Sequence, residues 1–354
     1  MPPALLVGGI FFLDKKVGTN YIIRIGGNMR LEVERSDKKR VLFIDALNMF
    51  LRSYTIIPSM NAQGLPNGGT IGFLKSLQKL CRDFRPHEVV VCWDGHGGSE
   101  KKRLMNKNYK QGRRPVRFNR RMIDLSEEET YKNRADQQLR LHEYLNEMPV
   151  VQVMLDYVEA DDVIAYVNEH KKYKDYTKVI VSSDKDFYQL CGNKNTYIWR
   201  PIQKELINGT MLRMKFGVHP NNFALVRAIE GDASDNLKGV PRLGMKTMVK
   251  YFSFLEEERA YSCDELMTHC YMTSDKKVAH KRLLEYKEHV KSNYRIMQLY
   301  EPNISSQGRQ KINFILENFN PLLSKLNITK MLMQDGQGSL NLSDLWVAFR
   351  KNIL

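Results

Sequence analysis

The chain has 354 residues, 42% of them hydrophobic, with 55 Lys or Arg against 40 Asp or Glu. That length suits one large or two medium domains with core enough for a monomer, and the net charge of +15 points to a polyanionic partner. Five scattered cysteines without a CxxC pair argue against a disulfide framework or a zinc site and for a reducing, cytoplasmic setting, and no apolar run reaches the roughly 20 residues of a membrane span.

Residues 1–39 read as an N-terminal extension. The stretch ALLVGGIFFL at 4–13 has the apolar character of a signal-peptide core, but no basic residue precedes it and no small-residue cleavage site follows, so secretion is not expected. The extension is either an accessory strand pair or a product of start-site choice, with Met29 as the alternative initiator.

From residue 40 short apolar runs alternate with helical periodicity, the pattern of an α/β fold with a mostly parallel sheet covered by helices. VLFI (41–44), VVVCW (89–93), VVQVM (150–154) and KVIVSS (178–183) are predicted strands; 70–84 and 160–172 are predicted helices. Between 99 and 135 the rhythm breaks. Residues 101–121 hold ten Lys or Arg and no acid, with Tyr109 and Phe118 interleaved, a composition suited to neutralising phosphates and stacking bases of a single strand. Lys101, Lys102, Arg103, Lys107 and Arg114 are its candidate nucleic-acid contacts. The bland reading is a solvated basic loop.

An α/β core at 40–207 is followed by a helical region at 208–300. A tail at 301–354 closes on the amphipathic SLNLSDLWVAFRKNIL. Its periodicity suits packing on the body of the protein; docking on a sliding clamp or single-strand binding protein is the alternative.

Three predicted strands run straight into acids: VLFI into Asp45, VVVCW into Asp94, and VIVSS into Asp184, with Asp186 two residues on. The carboxyl ends of parallel strands face one crevice, so these acids are expected to converge. VEADDVIAYV adds Glu159, Asp161 and Asp162 at the start of the helix after the third strand, where Ala160, Val163, Ile164 and Val167 form the buried stripe. A single acid in a first turn is explained by the helix dipole. A group of six or seven is not, because like charges in a poorly solvated crevice repel unless cations intervene. Oxygen-only ligands point to Mg²⁺ or Mn²⁺. Two such ions about 4 Å apart would suit in-line displacement at a phosphodiester. The eight histidines show no metal-ligand spacing.

In the order VLFIDALN, VVVCWDG, YKQGRR, VEADDVIA, VSSDKDFYQL and GDASDNLKGVPRLGMKT, spanning about 41–252, the chain resembles the structure-specific 5′ nucleases. These include bacteriophage 5′–3′ exonucleases and RNase H, the 5′-nuclease domain of DNA polymerase I, and flap endonucleases. The resemblance implies a PIN-like or resolvase-like core and a first metal site around Asp45, Asp94, Glu159 and Asp161. It implies a second site at Asp184, Asp186 and Asp235, with Asp162 and Asp232 as direct or water-mediated ligands.

It also makes the basic segment a helical arch, with Tyr109, Lys110 and Arg113 reaching the scissile phosphate. Residues 231–247 become a helix-three-turn-helix hairpin in which Gly239, Gly244, Lys246 and Thr247 grip duplex phosphates and K⁺ is bound. The implied activity is two-metal cleavage of DNA 5′ ends, flaps and nicks, and of RNA in RNA–DNA hybrids, in replication, recombination or repair. The phage members are the nearest in architecture, which makes a viral origin, and a host-cytoplasmic location, an expectation. The rivals are a PIN-type ribonuclease and a non-catalytic protein that recognises branched DNA.

Overall fold

The computed structural model describes residues 38–112 and 125–354; most of the N-terminal extension, together with Arg113 and Arg114, lies outside them. Six strands form one sheet: β1 (Arg40–Asp45), β2 (Glu88–Asp94), β3 (Val151–Leu155), β4 (Thr177–Val181), β5 (Thr196–Arg200) and β6 (Glu205–Ile207), in the spatial order β3-β2-β1-β4-β5-β6. All pairings are parallel except β5–β6. The four anticipated strands are thus present. The near-continuous apolar runs of β1, β2 and β4 are those of strands covered on both faces.

On one face lie α1 (Ala46–Ile56), α2 (Gly68–Phe84) and α4 (Glu127–Asn146), while the short α3 (Glu100–Met105) follows β2. Alternate strand residues Leu42, Ile44, Val89, Val91, Val179 and Val181 point to this side and join Met49, Phe50, Phe73, Leu77 and Leu141 in one cluster. Helix α4 starts with a capping box, Ser126 with Glu129, and three acids in its first turn. Its first residues were expected inside the basic segment. They belong instead to a regular helix whose buried face includes Asn133 and Gln137, which cap the approach to α2 through Pro66 O and Gly69 N.

The opposite face carries α5 (Ala160–Asn168) and then the helical region: α6 (Gly209–Phe216), α7 (Phe223–Glu230), α8 (Met245–Tyr251), α9 (Cys263–Met272), α10 (Val278–Glu285) and α11 (Lys287–Met297). This region was expected to be a domain of its own. Its apolar residues Phe223, Val226, Val290 and Ile296 share one cluster with Phe43, Val90, Val153 and Ile164, so it and the sheet bury a common core.

The tail forms α12 (Ser306–Glu317), α13 (Lys325–Gln334) and α14 (Ser343–Asn352). Ile312 and Leu316 of α12 enter the first-named side's opposite cluster, with α5, whereas Ile328, Leu332, Leu345 and Phe349 enter the cluster of α1, α2 and α4. The chain therefore changes faces between α12 and α13. Arg140 of α4 holds Asp335 with two bonds of 2.9 Å, and the Tyr144 hydroxyl donates to the same carboxylate. The apolar stripe of the closing helix is consumed by packing.

Candidate active site

The acids sit where strands end and helices start. Asp45 closes β1 and caps α1: its carboxylate accepts from Asn48 N at 3.1 Å and from the Ser182 hydroxyl at 2.9 Å. Asp94 closes β2 and accepts from Ala160 N at 2.9 Å, which ties it to the first turn of α5. Glu159 precedes that helix, with Asp161 and Asp162 in its first turn. Asp184 follows β4 and accepts from Asp186 N at 2.8 Å.

These groups form one electrically continuous set. Asp45 feels Asp94 and Asp184; Asp94 feels Asp161 and Glu159; Asp184 feels Asp161 and Asp235; Asp186 feels Asp232. Burial, reinforced by Asp94, pushes the Asp45 carboxyl up to about 7, and burial with Asp184 pushes Asp186 up to about 7. Burial with Asp161 takes Asp162 to about 6. Asp94 and Asp184 are raised by the same loss of solvation, although both reach solvent at the crevice mouth.

Glu159 goes the other way. Its burial favours the neutral form, but Lys102 and Lys110 outweigh that and hold it down to about 2. Lys102 Nζ lies 2.6 Å from Glu159, 3.0 Å from Asp161 and 3.5 Å from Asp162. With only 5% of its surface exposed, Lys102 does not stand on the surface as an expected phosphate contact. It is an internal countercharge, because three carboxylates form the best solvation a buried ammonium can find.

Lys110 also pairs with Glu159, and the Tyr109 hydroxyl donates to Glu159 Oε2 at 3.1 Å. Tyr109, expected to face the scissile phosphate, is buried and orients Glu159. Lys101 reaches Asn303 at 3.4 Å, while Arg103 and Lys107 are exposed.

A second cation was not anticipated. Arg227 of α7 binds Asp186 at 3.0 Å, pairs with Asp232 and donates to Gly231 O at 3.1 Å. Burial would raise the Asp232 carboxyl, but Ser234 and Arg227 keep it below the usual range. The available signal was a lone arginine on the apolar stripe of FALVRAIE. Asp162 likewise spends one oxygen on Asn303 N at 2.7 Å. Asp162 and Asp232 are therefore held chiefly by protein donors.

The basic segment and the acidic hairpin are joined. Lys110 N donates to Asp235 O at 2.9 Å and Asn236 Nδ2 to Asn108 O at 3.0 Å; Lys110 and Asn236 both adopt left-handed backbone, φ 55° and 58°. Behind them Gly239 passes so close to α7 that a Cβ would lie 1.9 Å from Glu230 O. Lys246 is exposed at the start of α8 and Thr247 half-buried; at Gly244, by contrast, a Cβ would meet only Glu230 Oε1, at 3.9 Å. Of the hairpin carbonyls, Lys238 O accepts from Asn293 and contacts His289, and Pro241 O accepts one bond from Arg282.

The donor set fits a hard divalent cation. It is built of oxygen alone; Glu159, Asp161 and Asp162 bring carboxylate oxygens within 4.8 Å of one another, around the Lys102 ammonium that a bound ion there would have to displace. The two carboxyls raised to about 7, first by burial and then by a neighbouring acid, would be favoured in their charged form by a bound cation. Residues 40–217 match the family described as the 5′-3′ exonuclease, N-terminal resolvase-like domain. The chain belongs to this 5′-3′ exonuclease family.

It is accordingly a phosphodiester hydrolase. A 5′-3′ exonuclease of Buchnera aphidicola is 27% identical over 222 residues, covering 61% of this chain and 71% of that one. Flap endonuclease Xni of Shewanella baltica is 28% identical over 261 residues, covering 73% and 89%. Among solved structures, the zinc-bound bacteriophage T5 5′-exonuclease shares the fold at a TM-score of 0.62 and 16% identity, covering 80% of this chain and 100% of that one. A T5 flap endonuclease in a pseudo-enzyme–product complex with DNA and metal ions aligns at 0.58 and 15%, covering 88% and 99%.

The carboxyl shifts have a consequence for stability. Folded Asp45 and Asp186 hold protons up to about pH 7, whereas unfolded Asp releases them near 3.9. Between those values the folded state binds more protons, so metal-free stability falls as pH rises from about 4 to 7. Glu159 contributes the opposite slope only at lower pH, between its folded value of about 2 and its unfolded value near 4.3. In EDTA the Tm should drop between pH 5.5 and 7.5, less so in Asp45→Asn, and added Mg²⁺ should recover more at pH 7.5. A flat profile, matched by the variant, would show that these carboxyls are not held up.

Proposed function

We propose that the chain is a Mg²⁺- or Mn²⁺-dependent 5′–3′ exonuclease and flap endonuclease. It acts on DNA 5′ ends, flaps and nicks and on RNA in RNA–DNA hybrids, during replication, recombination or repair. The observation that carries this reading is the single crevice in which Asp45, Asp94, Glu159, Asp161, Asp184 and Asp186 interact, walled by Lys110 and the hairpin at Asp235.

Asp45, Asp94, Glu159 and Asp161 would hold one ion and Asp184, Asp186 and Asp235 a second. Bound there, the ions would supply activation of water and neutralisation of the departing oxygen. Asn48 and Ser182 fix the Asp45 carboxylate, and Ala160 N fixes Asp94, so that these oxygens are oriented before substrate arrives. Burial works against the Lys110 ammonium, but Glu159, Asp161 and Asp235 outweigh it and keep it protonated. This places a permanent cation beside the acids for the scissile phosphate. Arg113 and Arg114 extend that role along the strand, and Lys246 and Thr247 take the duplex backbone.

The test is cleavage of labelled 5′-flap, nicked duplex, RNA–DNA hybrid and unstructured RNA, each with and without Mg²⁺. Metal-dependent cutting of the flap with little on unstructured RNA is expected. Preference for unstructured RNA would make the protein a PIN-type ribonuclease. Tight binding of an intact flap in Mg²⁺ and Mn²⁺ would make it a recognition protein.

A further inference from the structure

Tyr157 has an unusual backbone and an unusual side chain. Its φ is 62°, a left-handed conformation that costs a bulky aromatic residue more than glycine or asparagine. Among the described residues the ring gains no core contact in return: 49% of its surface is exposed and it belongs to neither hydrophobic cluster. Among the described residues its hydroxyl has no hydrogen-bond partner.

The surroundings nonetheless hold the ring in place. Tyr157 N donates to His96 O at 2.7 Å, and Gly95 N to Val158 O at 3.0 Å, locking the turn after β3 to the GHGG loop after β2. The exposed His96 ring meets Tyr157 edge to face, with centroids 6.4 Å apart and planes at 78°. Gly97, itself at φ 68°, has little room for a side chain because a Cβ would lie 2.8 Å from both the Tyr157 ring and Glu100 Oε1. The loop is therefore shaped around an aromatic residue half of whose surface is left open to solvent.

Its position limits what can use that face. Tyr157 is two residues from Glu159, a separation of at most about 7 Å along the chain, and His96 is two residues from Asp94. Both residues thus lie at the carboxyl edge of β2 and β3, within two positions of crevice acids. A rigid, exposed ring next to a site that cuts a polynucleotide is suited to a nucleobase, since every base has a face to stack on it and the contact needs no hydrogen-bond code.

We propose that Tyr157, braced by His96, is a stacking platform for one unpaired base close to the scissile phosphate. It is a positioning residue that sets where the strand lies relative to Asp94 and Glu159. This rests on the reading of the chain as a nuclease of flapped DNA.

The test uses the full chain and a 5′-flap DNA carrying 2-aminopurine at successive positions around the junction. Binding is read in EDTA, and cleavage separately in Mg²⁺. Wild type and Tyr157→Phe should quench the probe at one position. Tyr157→Gly and Tyr157→Asn should lose the quench and bind about 5- to 150-fold more weakly, the contribution of one stacked base. An abasic site at that position should erase the difference between wild type and the two variants.

Because glycine and asparagine suit the left-handed backbone, Tm in both variants should be unchanged or higher. A side chain kept for packing alone would lower it. Equal quench and affinity in wild type and Tyr157→Gly would overturn the platform, as would loss of affinity accompanied by a fall in Tm and insensitive to the abasic site. Quench lost in the variants from a wild type that cuts nothing in Mg²⁺ would support the platform and sink the nuclease reading instead.

Discussion

Asp184→Asn is expected to cut the single-turnover rate on a 5′-flap by roughly 10²–10³-fold or more, the scale of losing one preorganised electrostatic contact. Duplex binding should be unchanged. The side chain is isosteric and keeps the oxygen that accepts from Asp186 N, so the turn after β4 should hold its shape. Removing the charge also takes away repulsion with Asp161 and Asp235, so metal-free Tm should stay level or rise. Rates from chemical quench, binding from anisotropy and Tm from scanning fluorimetry separate these effects. Undiminished turnover would remove Asp184 from the site.

Lys110→Ala is expected to slow the chemical step on a similar scale, roughly 10²–10³-fold, with far less effect on duplex affinity. In the structure its ammonium is engaged by Glu159 and its backbone by Asp235, placing it inside the crevice rather than on the duplex-binding surface. An ordinary phosphate contact would behave differently: affinity would fall, the salt dependence of binding would flatten by about one phosphate's worth, a slope of ~0.9, and the single-turnover rate would survive. Measuring Kd at several salt concentrations beside the rate distinguishes the two.

Much of this site was legible in the sequence because the relevant acids lie at strand ends. β1, β2 and β4 are buried on both faces, so their apolar runs end abruptly at Asp45, Asp94 and Ser182–Asp184. β5 and β6 were missed. TYIWR alternates buried with half-buried residues, and beyond β4 its other neighbour is only the three residues ELI, reached through a turn containing left-handed Lys204. The start of α4 was hidden for a related reason: part of its inward face is Asn133 and Gln137, whose burial depends on partners in the Pro66–Gly69 turn. The countercharges were the least visible. A lysine in a basic block and an arginine in an apolar helix carry no mark of their partners, and only the fold shows that Lys102 and Arg227 neutralise acids 57 or more and 41 or fewer positions away, respectively.

The change of faces between α12 and α13 bears on how the protein is made. The cluster begun by Leu42, Ile44 and Met49 is completed by Ile328, Leu345 and Phe349, and the Tyr144–Asp335 bond joins residues 191 positions apart. Closing contacts across such separations is slow. During synthesis at about 5–20 residues per second, the apolar surface of α2 stays uncovered for many seconds after β1, β2 and their helices have emerged. Nascent chains at that stage are the ones to which a chaperone would bind, and release should coincide with emergence of residues 325–352.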